Sequence, residues 1–530
     1  MNPSIRAVAV STCLLSLTTA CTTLAQDAQR EPTVGLTIYS SADPASFNPQ
    51  QFIAQQRMGH DPNFAWQVPG FAVVRDTRTL NLQRGLNSVN FTDVAQFIDP
   101  TTVSLVDLSV APEQQKERGI RVIEQNFQFD LVSPDKLFDK YIDQTITVNL
   151  NLGDGQRELI TGKLLSYNQG RLVLQTDAGL RVIAATSDVQ LGTLPEGLLT
   201  RPTLQWQLFA PEAGERKVRT AYQTDGITWR ADYNLVLNED DTRADLGAWV
   251  TIMNLSGTRF PNAQLKLIAG DVQRITPRSP QPMLMRARAL EMADAAAPPG
   301  FEEKSFFEYH MYTLGRPATI ENNATQQLAL FPTVQGVKVE KVLVYYGLDA
   351  RNWIFPNPAL DRNLGQQSNK KVDVYIRFDN REENNLGIPL PKGKMRVFKM
   401  DRPAGARAND NGNGSLEFVG EDLIDHTARN AEVLVKIGQA FDVTGERVQT
   451  DFNVDQRAHV MQETIRITLK NAKDVEQKVV VRENLYRWIN WEIIEKSDDF
   501  EKIDSRTIHF EVTVPPEGEK VVTYTVKYTW

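Results

Sequence analysis

The stretch Thr145–Leu191, TITVNLNLGDGQRELITGKLLSYNQGRLVLQTDAGLRVIAATSDVQL, alternates apolar and polar residues and breaks at GDG, YNQG and TDAG. Alternation with a period of two places apolar side chains on one face of a strand. The Gly and Asn residues at the breaks supply the positive φ that tight hairpins require. Four or five strands fit into about fifty residues, a density that predicts a small closed barrel, SH3-like or Sm-like. Just upstream, SPDKLFDKYI offers Ser133 as an N-cap and Pro134 at the first helical position. Residues 133–200 are therefore read as a small β-barrel led by one short helix.

Outward from this module the same period continues in both directions. FAVVRDTRTLNLQRGLNSVNFTDV, TTVSLVDL and IRVIEQNFQFDL predict an N-terminal β-domain over 65–132. Residues 201–275 form another strand-rich module, and 304–530 a C-terminal β-sandwich region. Between them, TPRSPQPMLMRARALEMADAAAPPG breaks the pattern, so 276–303 is expected to be a Pro/Ala/Met-rich linker. Its alternative is a partner-docking amphipathic helix with Met283, Leu284, Met285, Leu290 and Met292 on its apolar face. Residues 26–64 are polar and read as a linker or irregular cap. The expected fold class is all-β, with several β-sandwich-like modules in series, one small barrel and little helix.

The N-terminus has the layout of an export signal over residues 1–25: Arg6, an apolar run from Ala7 to Leu17, then small residues. That run is too short to span a bilayer. Two processing outcomes compete, cleavage after Ala25 and lipid attachment at Cys21 in LTTAC, where Thr18 stands at a position usually held by Leu. The expected location is the periplasm or cell envelope, with Cys21 the only anchor and no transmembrane segment. Both cysteines, Cys13 and Cys21, lie in the leader. The remainder of the chain has no disulfide, thiolate metal site or cysteine nucleophile. The net charge of −8 comes from 58 basic and 66 acidic residues with no cationic block, which leaves no footprint for nucleic acid.

Several phrases recur in a recognisable order: GITWRADY (226–233), NLSGTRFPNAQLKLIAGD (254–271), FFEYHMYTL (306–314), RPATIENNATQQ (316–327), PLPKGKMRVFKMD (389–401), and VGEDLIDHTARN (419–430) with GQAFDV (438–443). From about Arg201 to Trp530 the chain resembles the bacterial domain of unknown function 4139, the C-terminal domain of mucoidy-inhibitor-like proteins. The resemblance implies an all-β, exported or envelope-associated protein and transfers no activity. Mucoidy-inhibitor-like members carry a coiled coil before this domain, whereas this chain shows no sustained heptads and has the small barrel in that place.

Standard catalytic signatures (HExxH, the phosphate-binding GxxxxGK[ST], GxSxG, GxGxxG) are absent. Of the five histidines, His60 lies in a polar loop beside Asp61. His459 and Glu463 belong to a strand pattern that separates them by about 13 Å; His509 is read as structural. FFEYHMYTL places Glu308 and His310 on one strand face, about 7 Å apart at their Cα atoms, close enough to share an ion. Asp425 and His426, at the end of the strand LEFVGEDLI, offer a second pair. Together Glu308, His310, Asp425 and His426 would suit a divalent metal and a hydrolase. The simpler reading is a hydrogen-bonded turn, with no cofactor. The leading expectation is a non-catalytic envelope protein that engages a protein or surface polymer.

Overall fold

The computed structural model describes residues 34–39, 48–57, 68–128, 132–153, 156–168, 170–184, 188–195, 198–270, 272, 301–306, 309–366, 368–401 and 415–530. The leader with Cys21, His60, Glu308 and nearly all of the 276–303 stretch lie outside them. The chain is all-β with little helix, as its alternation implies, and its strands form sheets of eight, five, three, five and nine strands.

Strand pairing crosses the boundaries read from the sequence. In the eight-stranded sheet, Val34–Tyr39 lies between Phe71–Leu82, antiparallel, and Phe260–Ala269, parallel. Residues 26–64 are thus not simply a linker: VGLTIY is an interior strand, with Leu36 and Ile38 fully buried. Gly214–Thr224 of the 201–275 stretch pairs with both Phe71–Leu82 and Ile98–Asp107. Thr203–Ala210 pairs with Gly85–Thr92 and Arg121–Gln128 in the three-stranded sheet. Residues 65–132 and 201–275 therefore share one core instead of standing in series. Local periodicity specifies a strand but not its neighbour, because ladder hydrogen bonds are made by backbone groups that all residues share.

The larger core continues into the C-terminal part through the second five-stranded sheet. Ile227–Leu237 pairs antiparallel with Arg243–Asn254 and parallel with Gly393–Asp401. It is buried on nearly every residue, including Trp229 and Tyr233, as a strand covered on both faces must be. One continuous apolar cluster runs from Val34 to Val435. A second core, from Leu343 to Tyr528, fills the nine-stranded sheet, with Trp530 against its rim and edge-on to His459. The 24-residue strand Glu432–Asp455 belongs to that sheet and also touches Ser415–Ile424 of the neighbouring one.

The inserted module 133–200 has its own small core around Phe138, Ile146, Val148, Leu164 and Leu174. Ser133 caps the predicted helix Pro134–Lys140 through the backbone N–H of Lys136. Its five strands run Asp188–Gln190, Thr145–Gly153, Gln156–Asn168, Arg171–Thr176, Gly179–Ala184 across the sheet. The expected closure is not reached, since among the described residues the two outer strands share no ladder. The sheet does curl: Gln156–Asn168 bends at a bulge between Leu164 and Ser166, and Glu158 reaches Arg181, two strands away, at 2.6 Å. Three residues in Asp188–Gln190 are too few to zip the barrel shut.

Candidate functional site

The predicted metal set is not assembled among the described residues, where no group of three or more His, Cys, Asp or Glu side chains converges. Glu308 lies outside them. His310 instead faces across its hairpin. Strands Phe301–Phe306 and Tyr309–Leu314 pair Ser305 with His310 and Glu303 with Tyr312. Nδ1 of His310 donates to Oε1 of Glu303 at 2.8 Å, and Nη2 of Arg429 donates to the other carboxylate oxygen at 2.9 Å. The FFEYH and VGEDLIDHTARN segments are therefore linked through Glu303, which holds His310 of the first and Arg429 of the second. The His310 hydrogen bond, with help from Arg429, holds the Glu303 carboxyl below its usual range despite partial burial.

Beside this trio lies the loop Ile388–Lys392, each residue of which is bonded. Asn380, fully buried, donates from Nδ2 to the carbonyls of Ile388 and Ala428 at 2.8 and 2.9 Å. Tyr312 donates to Pro389 O at 2.8 Å and Tyr233 to Pro391 O at 2.7 Å. Leu390 and Thr427 exchange two backbone bonds of 2.9 Å, and the Lys392 N–H donates to Nδ1 of His426 at 3.1 Å. Burial pushes both tyrosine hydroxyls well above their usual range, so they remain neutral donors. The arrangement joins the eight-stranded sheet to two loops, Ile388–Lys392, which leads into Gly393–Asp401, and the loop carrying Arg429, which leads into Glu432–Asp455 of the nine-stranded sheet. A carboxylate held by a histidine on one oxygen and an arginine on the other is here a cross-brace.

Two further described histidines, His459 and His509, lie apart from this brace. His459 lies in the turn after Asp455, with φ of 54°, and not in the strand expected for it; Glu463 pairs with Arg487 instead. His509 lies in Thr507–Val514 opposite Arg482, its Nε2 buried without a partner, and desolvation followed by Arg482 lowers its pKa.

A cleft of about 1120 Å³ opens elsewhere, at the end of Val34–Tyr39. One wall is Asp76–Thr79 and the other is Gly257–Pro261, with Asp93 and Arg201 also lining it. Gly257 holds a turn at φ of 84°, where an added Cβ would meet Gln96 at 2.4 Å, so the LSG turn requires glycine. Arg78 pairs with Asp76 at 2.7 Å, Arg201 with Asp93 at 2.5 Å and Arg259 with Glu321 at 3.0 Å. Lys217, exposed, has no carboxylate partner among the described residues. Oδ1 of Asn322, in the lining, is shielded from solvent and accepts no hydrogen bond. Sequence reading missed this cleft. Its local signal is the polar run RDTRT inside a strand that is otherwise apolar on one face.

The molecule is thus an all-β protein in which GITWRADY, FFEYHMYTL, PLPKGKMRVFKMD and VGEDLIDHTARN converge on one brace, with an open cleft apart from it. The chain belongs to the family of the domain of unknown function DUF4139, whose model matches residues 218–530, beginning somewhat later than the resemblance to Arg201 implies. No curated protein matches the chain. Among the described residues no helix is long and apolar enough to cross a membrane.

Proposed function

We propose that this is an exported cell-envelope protein with a non-catalytic role, which holds a protein or a surface polymer in the cleft beside Val34. The cleft carries the reading: of four cations around about 1120 Å³, Arg78, Arg201 and Arg259 are held by Asp76, Asp93 and Glu321, and Lys217 has no carboxylate partner among the described residues. Polar groups converging on a preformed concavity are what recognition requires. The histidine and carboxylate brace between motifs, by contrast, is engaged in joining sheets. Export rests on the leader, with Cys21 as an alternative tether.

A photo-crosslinking residue placed at Lys217 in growing cells tests the binding role, with the same residue at exposed Glu519 as control. Specific adducts from position 217 alone are expected; equal adducts from both positions, or none, would count against the reading. For localisation, cell fractionation should recover the chain from the envelope or periplasm. Cys21→Ser should release it from membranes if the tether is real.

A further inference from the structure

We infer that the outer face of the second five-stranded sheet is a shallow carbohydrate-binding site, centred on Trp249 and Gly247, that takes one pyranose ring of a glycan. The site lies apart from the cleft and does not depend on it. Arg243–Asn254 is an interior strand, between Ile227–Leu237 and Ala324–Lys338. Its Leu246, Ala248 and Val250 enter the core, so Gly247 and Trp249 face the other way. Trp249 is 41% exposed there, although both edges of its strand are paired. The residues that could cover its ring are small: Ala329 stands opposite on one side, and Gly247 is the next residue along the same face. Asp232, opposite on the other side, is buried and accepts from Thr251 at 2.6 Å.

Gly247 leaves a hollow beside the indole. A Cβ on it would meet nothing closer than Thr333 Oγ1 at 3.7 Å and Asn234 O at 3.9 Å. Alongside, Ala324–Lys338 shifts register between Leu246 and Ala248 and again between Ala248 and Trp249, and bulges of this kind re-aim side chains. Asn234 lies opposite Gly247, and Arg396 lies beside Asn234 on the next strand. The side chains of Thr333, Asn234 and Arg396 make no hydrogen bond among the described residues. Arg396 stands 3.6 Å from Oδ1 of Asp232 and 3.4 Å from Oε2 of Glu421, near both carboxylates and bonded to neither. Oδ1 of Asp232, shielded from solvent, accepts no hydrogen bond.

A flat aromatic face beside uncommitted donors and acceptors matches the chemistry of a sugar ring. Its C–H face packs on the indole while its hydroxyls, each both donor and acceptor, meet an amide, a hydroxyl and a guanidinium. An added peptide strand would need a free sheet edge, and here both edges are paired. A purely apolar ligand would leave the polar rim without partners.

The test is saturation-transfer NMR on the purified chain with four soluble hexasaccharides, of the maltose, cellulose, chitin and alginate types. Transfer to the ring C–H protons of at least one is expected. Trp249→Ala should weaken its binding about tenfold, the worth of one aromatic contact, with Trp249→Phe in between. Gly247→Val fills the hollow. Since the added Cβ has room and β-branched residues suit a strand, it should abolish transfer at an unchanged melting temperature. Phe441, 93% exposed on the nine-stranded sheet, is the control, and Phe441→Ala should leave binding as it is. Three results would overturn the inference: no binding of any of the hexasaccharides, binding that survives both Trp249→Ala and Gly247→Val, or a loss in Phe441→Ala equal to that in Trp249→Ala, which would mark mere apolar adsorption.

Discussion

Arg487 and Arg429 each grip a glutamate, the first with none of its side chain exposed inside the nine-stranded sheet, the second 27% exposed at the seam between sheets. Arg487 donates to both oxygens of Glu463 at 3.0 and 3.1 Å and to the carbonyls of Ala359, Asp361 and Leu364 at 2.8 to 2.9 Å. That uses all five guanidinium N–H groups. Arg447, paired with Glu483, donates to Gly365 O, and Tyr524 donates to the same glutamate oxygen. An irregular segment between two strands is held over the apolar core by buried charge. The seam trio is more exposed, and it joins two segments more than a hundred residues apart. Saturated guanidinium donors mark scaffolding, whereas in the cleft Oδ1 of Asn322 is shielded from solvent and accepts no hydrogen bond.

The comparison can be broken at its strong end first. Arg487→Ala should strand Glu463 and three carbonyls in the core, and the loss is expected at about 3–5 kcal/mol in urea unfolding, the cost of unpairing a buried ion. If the variant loses less than about 1 kcal/mol, the buried cluster is not holding the 359–364 stretch. Asn380→Ala comes next: it leaves the carbonyls of Ile388 and Ala428 unpaired, at an expected cost of about 1–3 kcal/mol. Wild-type stability would show that those loops have other support.

The seam trio should show the smallest effect, and with a defined sign. Glu303 has its folded pKa depressed from an ordinary 4.5, so its contribution is present above that value and fades as pH falls through the folded pKa. Between pH 6 and pH 3 the wild-type chain should therefore lose more stability than Glu303→Gln, by no more than about 1 kcal/mol for a partly exposed pair. Parallel pH profiles would remove the trio from the account of how the sheets are joined.

Much of the strand content was legible. TITVNLNL and EKVVTYTVKYT alternate because one face meets the core, and the SPDK helix start announces its own cap. The partner of His310 was not. Along one strand, Glu308 is the carboxylate at matching phase, but Glu303 reaches the ring from the neighbouring strand, and cross-strand register is invisible to a period of two. Glu463 and Glu483 did leave a trace, each in phase with buried Met461 and Ile465 or Val479 and Val481, where an uncompensated charge cannot stand.

The family region itself shows the limit of local reading. Residues 218–530 contain both walls of several sheets, yet the eight-stranded sheet is completed by Val34–Tyr39, Phe71–Leu82 and Ile98–Asp107 from outside that region. By itself the sequence determined the β class, the strands and turns, the helix cap and the family, because period, φ preference and capping are properties of neighbouring residues. Tertiary structure alone decided which strands lie side by side and which glutamate His310 meets. Those outcomes depend on backbone groups that are alike in every residue and on contacts across hundreds of positions.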